Sequence, residues 1–269
     1  MPLYPTAASL VRLRLGPSTA ESDFGDIVEE LAKASKPLLD APGHRQSAWG
    51  RLQSDHGTYI LCSFWDDLAA VSAFQASAAT QMMAHSLGVL VDAPDSSVVL
   101  TTVDFGGSLD SQAVLRHHTQ IRRVYFPSRV PEAARTAIRR LPGLVYRYGM
   151  GISGQDDIGG DTRAYYRAPA TGWFVGEGRL GEGAGEEVAT TKQWDGKECD
   201  VFVCIMFWKD KERERRFLVE ERLPVTQPGN QPGTEVWVRD MSLMEEWEGK
   251  LREAGAVGWE DEYVDFRVV

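Results

Sequence analysis

Along Ser9–Leu15, Ser-Leu-Val-Arg-Leu-Arg-Leu, apolar and polar positions alternate with a period of two, which predicts a strand with two unlike faces. After Gly16-Pro17 the period lengthens. Ile27, Leu31, Ala34 and Leu38 recur at helical spacing over Asp23–Leu39, and Pro42-Gly43 ends that helix. Gln46–Leu52 is a second strand, Asp55-His56-Gly57 a hairpin turn, and Tyr59–Trp65 a third, almost wholly apolar strand. Asp66–Leu90 reads as an interrupted helix with Phe74, Met82, Met83 and Leu87 on it, and Ser96–Phe105 as a fourth strand. The order is β-α-β-β-α-β, the ferredoxin-like arrangement.

The pattern then restarts. Gln120–Phe126 is a strand, Pro131–Leu141 a helix with proline in its first turn, Leu144–Ile152 a second strand and Asp200–Trp208 a third. Lys209–Leu223 and Met241–Ala254 are helical, and Trp259–Val269 is the last strand. Phe64-Trp65 returns as Phe207-Trp208, Pro42-Gly43 as Pro142-Gly143, and Val-Asp-Phe ends both halves at Val103–Phe105 and Val264–Phe266. Such echoes predict an internal repeat: a first ferredoxin-like domain at 1–108 and a second at 109–269. The offset grows from 100 at Pro-Gly to 143 at Phe-Trp, so the second half carries about forty extra residues. They are expected at Ser153–Glu198, a glycine-rich stretch with embedded aromatics read as an ordered flap over one half's pocket, with a smaller Pro/Gly-rich loop at Pro224–Thr234.

Composition narrows the function. A net charge of −10 without a basic stripe argues against nucleic acid. No run of ~20 apolar residues is present to span a membrane. The three cysteines form no CxxC, and Cys62 and Cys204 sit in apolar strands, so a reducing, cytoplasmic setting is expected. His117-His118 are adjacent on a strand, point to opposite faces and cannot easily share an ion, and no other ligand-spaced set supports a metal. No convincing phosphate loop is present, and no cofactor is expected. Asp104 and Asp265 lie inside apolar strands and need partners, for which Arg12, Arg14 or Arg122 are within reach.

The stretch Tyr59-Ile-Leu-Cys-Ser-Phe-Trp-Asp-Asp, then Phe74-Gln-Ala-Ser, a helix, and Ser97-Val-Val-Leu-Thr-Thr-Val-Asp-Phe resembles the antibiotic biosynthesis monooxygenase type of the dimeric α/β barrel superfamily. The resemblance covers most of the first half and reaches the second through the repeat. It implies an α+β fold in which two ferredoxin-like halves pack sheet against sheet as a pseudo-dimeric α/β barrel, a monomer acting as its own dimer. Activities in that superfamily include cofactor-free oxidation of polycyclic phenols, haem degradation, chlorite dismutation, muconolactone isomerisation and polyketide ring closure. The first two commonly use an Asn, and the single asparagine here, Asn230, lies in the Pro/Gly-rich loop. The olivetolic-acid-cyclase type uses a first-strand His and a Tyr–His pair on the later helix. Here His85 is on that helix with Ala79 in place of Tyr, the first strand offers Arg12 and Arg14, and His118 begins the first strand of the second half.

The resulting expectation is a cofactor-independent tailoring enzyme, a cyclase or related rearrangement catalyst, on a hydrophobic polyketide- or terpenoid-like small molecule. His85 would be the base, Arg12 or Arg14 the oxyanion holder, and His118 the alternative centre. Trp49, Trp65, Tyr146, Tyr148, Trp173 and Trp208 would line the pocket. Against this, His85 also suits a surface position, and each aromatic suits plain core packing. A monooxygenase of the same fold and a non-catalytic small-molecule binding or stress-response protein stay open beside it.

Overall fold

A computed structural model describes residues 5–16, 23–91, 98–106, 118–141, 169–181, 190–215, 218 and 243–268. The first half contains β1 (Ala7–Arg14), α1 (Phe24–Ala34), α2 (Lys36–Leu39), β2 (His44–Leu52), β3 (Thr58–Trp65), α3 (Leu68–Gln75), α4 (Ala78–Gly88) and β4 (Val99–Asp104). The second contains β5 (His118–Pro127), α5 (Glu132–Arg139), β6 (Ala170–Arg179), β7 (Lys192–Trp194), β8 (Lys197–Trp208), α6 (Lys211–Arg215), α7 (Leu243–Glu253) and β9 (Gly258–Val268).

Eight strands close into an antiparallel barrel in the order β5-β9-β2-β3-β1-β4-β6-β8, with β8 returning to β5; β7 extends β8 as a short hairpin. The ferredoxin-like α+β character is as read from the sequence, but two stacked sheets are not what forms. Each half's last strand pairs with the other half's second strand, β9 on β2 and β4 on β6. The sheets therefore join at both edges, which among the described residues leaves no ladder of unpaired backbone groups between them. Strand alternation sends Ala8, Leu10, Cys62, Phe64, Ile121, Val203 and Phe266 into the barrel. The opposite face of the first half packs under α1–α4, and that of the second under α5 and α7.

Local chemistry sets the element ends. The helix expected over Asp23–Leu39 breaks at Ser35. Pro37 has no N–H for the preceding turn, and the Ser35 hydroxyl bonds back to the Leu31 carbonyl at 2.8 Å while accepting from Trp49 Nε1 at 3.0 Å. Asp23, Asp67 and Ser77 cap α1, α3 and α4 through their side chains.

The two halves use one register. Ala7 lies opposite Trp65 and His118 opposite Trp208; Ser9 lies opposite Thr102 and Gln120 opposite Tyr263. Trp65 Nε1 donates to Ser9 Oγ and Trp208 Nε1 to Gln120 Oε1, both at 2.9 Å. Leu144–Ile152, expected as the second strand of the second half, and the 224–234 loop lie outside the described residues. The strand beside β8 is instead β6, inside the stretch read as an inserted flap. Its three glycines, Gly172, Gly176 and Gly178, disguise it. Gly172 has a packing reason: a Cβ there would meet the Asp104 carbonyl and lie 2.8 Å from the Phe105 ring. Gly50 on β2 is in the same position, and a Cβ there would meet Val264 and lie 2.7 Å from the Phe266 ring. The phenylalanine of each Val-Asp-Phe thus lies across a glycine of the other half.

Candidate active site in the second half

Period-two alternation puts His118, Gln120 and Arg122 of β5 on one face, beside Asp261, Tyr263 and Asp265 of β9. Helices cover this face, α6 supplying Glu214 and α7 supplying Met244, Trp247 and Glu248. At one end lies His118. Both His118 and Glu214 are only 7% exposed, and His118 Nε2 is bonded to the Glu214 carboxylate. The imidazole stacks on Tyr263 with ring centroids 5.5 Å apart and planes 9° from parallel. The Tyr263 phenol also bonds Glu214; burial first, then that carboxylate, pushes its pKa well up, so it stays protonated and donates. From the first half, Gln53 Nε2 reaches His118 Nδ1 at 3.2 Å and Asp265 Oδ1 at 2.8 Å.

A second polar group lies alongside. Gln120 Nε2 donates to Asp261 Oδ1 at 2.8 Å, and Arg122 forms a two-pronged pair with Asp261 at 2.7 and 2.8 Å and reaches Glu248 at 2.6 Å. The Arg122 guanidinium lies near the faces of Trp247 and Trp259 at 5.9 and 5.6 Å. Burial opposes its charge, but Asp261 and Glu248 outweigh it and raise its pKa. Together these groups make a hydrogen-bonded acid–base system in an apolar layer that includes Trp208 and Trp247, able to hold and move a proton. Among the described residues no group of three or more His, Cys, Asp and Glu could hold a metal ion.

Of the residues singled out from the sequence, His118 is the one at the centre of this system. His85 is exposed on α4, outside any enclosed layer. Arg12 and Arg14 cannot serve it: they share a face with Ala8 and Leu10 toward the barrel, whereas α4 packs Met83 and Leu87 on the opposite face of β1. Arg12 pairs with Glu262, and Arg14 Nε lies 3.9 Å from Asp55. Trp49 and Trp65 are buried under the first half's helices, and Trp173 and Trp208 in the second half's helix-facing layer. Trp208 lies opposite His118 in the register, while Trp173 sits beneath Arg135, 4.9 Å from its guanidinium. Tyr146 and Tyr148 lie outside the described residues. The expected aspartate partners also differ: Asp104 pairs with Arg139 at 3.3 Å, and Asp265 accepts from Gln53. Sequence reading missed Glu214, Tyr263 and Gln53. The available signal was His118-x-Gln120-x-Arg122, polar at every second position of a buried strand.

Residues 15–85 match the family model "antibiotic biosynthesis monooxygenase". No curated protein matches the chain in sequence. Among solved structures, an anthrone oxidase-like protein is similar at 12% identity and a TM-score of 0.51, covering 98% of this chain and 93% of its own. A candidate monooxygenase from Lactobacillus acidophilus shows 8% identity and a TM-score of 0.44, covering 98% and 99%. One from Fusobacterium nucleatum shows 7% and 0.45, covering 99% and 94%. Residues 15–85 thus resemble the antibiotic biosynthesis monooxygenase model, in a chain whose fold is similar to that of the anthrone oxidase-like protein.

Proposed function

We propose that the chain is a small-molecule tailoring enzyme whose chemistry starts with proton abstraction at the second half's His118. The two ferredoxin-like units, 1–108 and 109–269, act as a covalent pseudo-dimer of which one face is chemically equipped. The observation that carries this reading is the His118–Glu214–Tyr263 cluster, a buried histidine held by a carboxylate that also binds a phenol. The substrate is a flat, hydrophobic, polyketide- or terpenoid-like molecule with a C–H made acidic by a neighbouring carbonyl. Its C–H bond breaks, the proton passes to the imidazole, and the electron pair delocalises into the carbonyl. The carbanion then attacks a second carbonyl of the same molecule, closing a ring, and the resulting alkoxide takes the proton back from the imidazolium. Glu214 stabilises the imidazolium that forms.

A second reading shares the first step. The family match at 15–85 and the anthrone oxidase-like fold favour a monooxygenase in which the carbanion gives its electrons to dioxygen. Anthrone in D2O serves as a probe for both, because exchange of its acidic methylene protons reports abstraction whatever follows. Catalysed exchange supports the enzyme reading, and oxygen uptake in the same tube selects the monooxygenase branch. Anthrone bound without exchange, together with no turnover across a panel of poly-β-ketones, would overturn both in favour of a binding protein.

A further inference from the structure

A row of side chains crosses the junction between the two halves. Thr119 pairs with Val264, which sets His118 level with Asp265; Asp265 lies opposite Arg51, and Arg51 opposite Tyr59. Alternation puts all four on the helix-facing side, with Arg267 two residues beyond Asp265. Neighbouring strands lie about 4.8 Å apart, so the backbones at His118 and Arg51 are separated by about 10 Å. His118 and Tyr59 are buried, Asp265 and Arg51 are partly exposed, and Arg267 is exposed. The open part of this face is therefore the junction itself, between the covered histidine and the covered tyrosine.

The junction carries two cations without acids. The Arg51 and Arg267 guanidiniums lie 4.8 and 4.6 Å from the ring centre of Phe24, at the start of α1. Among the described residues neither is paired with a carboxylate, in a chain whose net charge is −10. The acids on the same elements are held elsewhere: Asp265 accepts from Gln53, and Asp23 accepts from the Gly25 N–H at 2.7 Å. Beside them the Tyr59 ring lies 6.1 Å from Phe24, and its buried hydroxyl has no hydrogen-bond partner. Burial raises its pKa against the pull of Arg51, so it stays protonated and able to donate. A buried donor without an acceptor, next to two unpaired guanidiniums, is an arrangement that receives an anion.

We propose that Arg51, Arg267 and the Tyr59 hydroxyl bind the carboxylate of an aromatic acid and hold it across the junction toward His118. This rests on the reading of the second half's face as the reacting site and narrows its substrate class. The molecule carries a carboxylate at one end and its acidic C–H at the other. The arginine fork matches the two carboxylate oxygens, and Phe24 holds both guanidiniums against its ring. The first half thus supplies the anchor and the second half the base, which is a use for joining two unlike halves in one chain.

Fluorescence titration with anthracene-2-carboxylate, against its neutral analogue 2-hydroxymethylanthracene, tests this without turnover. The wild-type protein should bind the carboxylate about tenfold tighter or more, as expected for a charge-assisted contact. Arg51→Gln, Arg267→Gln and Tyr59→Phe should each remove a large part of that preference, with the melting temperature recorded to show that each variant is folded. Acetate at the same concentration should not displace the aromatic acid. No preference in the wild type, a preference untouched in folded Arg51→Gln and Arg267→Gln, or displacement by acetate would overturn the assignment. If the preference behaves as stated but His118→Gln exchanges anthrone at the wild-type rate, the anion site stands and the catalytic reading falls. If exchange is lost in His118→Gln but the preference is absent, only the anion site falls.

Discussion

Matched strand by strand, the helix-covered faces of the two halves differ in chemistry more than in geometry. Ala7, Ser9 and Val11 of β1 occupy the places of His118, Gln120 and Arg122 of β5; Leu100 and Thr102 of β4 those of Asp261 and Tyr263 of β9. The offset carrying Phe64-Trp65 to Phe207-Trp208 sets Val71 of α3 at the place of Glu214 of α6. Ala7, Val11, Leu100 and Val71 all pack in the first half's apolar layer. A barrel can be held with that layer dry, so the second half's buried charges are not needed for closure. Replacing such charges by apolar groups of similar volume is often neutral or stabilising. Their presence beside a buried histidine is the observation that supports reading this face as a candidate site.

The largest stability effect expected is from separating Arg122 from its acids. Arg122→Leu leaves Asp261 and Glu248 facing each other under α7 and should cost about 3–5 kcal/mol in urea unfolding. Copying the first half's residues in full, Arg122→Val with Asp261→Leu, should return most of that loss, because Glu248 can turn to solvent. If the double variant is no more stable than Arg122→Leu, the two faces are not interchangeable frameworks. Next come the junctions. Gly50→Ala and Gly172→Ala should each cost about 1–3 kcal/mol by overpacking. Gly172→Ala should be the worse of the two, since its added carbon meets backbone rather than side chain. A cost confined to one of them would mean the junctions are not alike.

A smaller effect is a pH dependence from the first half. His44 Nε2 lies 2.6 Å from Ser47 Oγ, and burial lowers its pKa below 6.5 against the opposing pull of backbone bonds at Gln46 and Leu39. The fold prefers the neutral ring, so this contribution is full above pH 6.5 and is lost as pH falls through the lowered folded value. The melting temperature of the wild-type protein should drop more between pH 7.5 and 5 than that of His44→Asn; parallel curves would refute it. Least of all should follow from His85→Gln. An exposed side chain should change stability by no more than about 0.5 kcal/mol, and anthrone exchange should not change.

Much of the fold was legible because its signals are local. Alternation on Ser9–Leu15, the Phe-Trp echo and the capped helices depend on neighbours in sequence. The β6 strand was hidden because Gly172 answers to a phenylalanine of the other half, which no window of the chain contains. The site was half legible for a related reason. His118 announced itself as a histidine opening a strand. Glu214 lies in a run of charges, Lys-Glu-Arg-Glu-Arg, that reads as a solvated helix, and only tertiary packing shows that this one acid turns inward. His85 misled because Met82-Met83 implied burial, whereas the helix turns Met83 in and leaves Met82 61% exposed.

One face of the barrel, the second half's, is predicted to carry the chemistry. Anthrone methylene exchange in D2O, measured for His118→Gln and His44→Gln against wild type, tests it most directly. Glutamine at 118 can still donate to Glu214, so folding should survive, and the loss of a general base should cut the rate ~10²–10⁴-fold. His44→Gln should stay near the wild-type rate. Full activity in His118→Gln, or a collapse in His44→Gln at an unchanged melting temperature, would place the chemistry away from the second half's face.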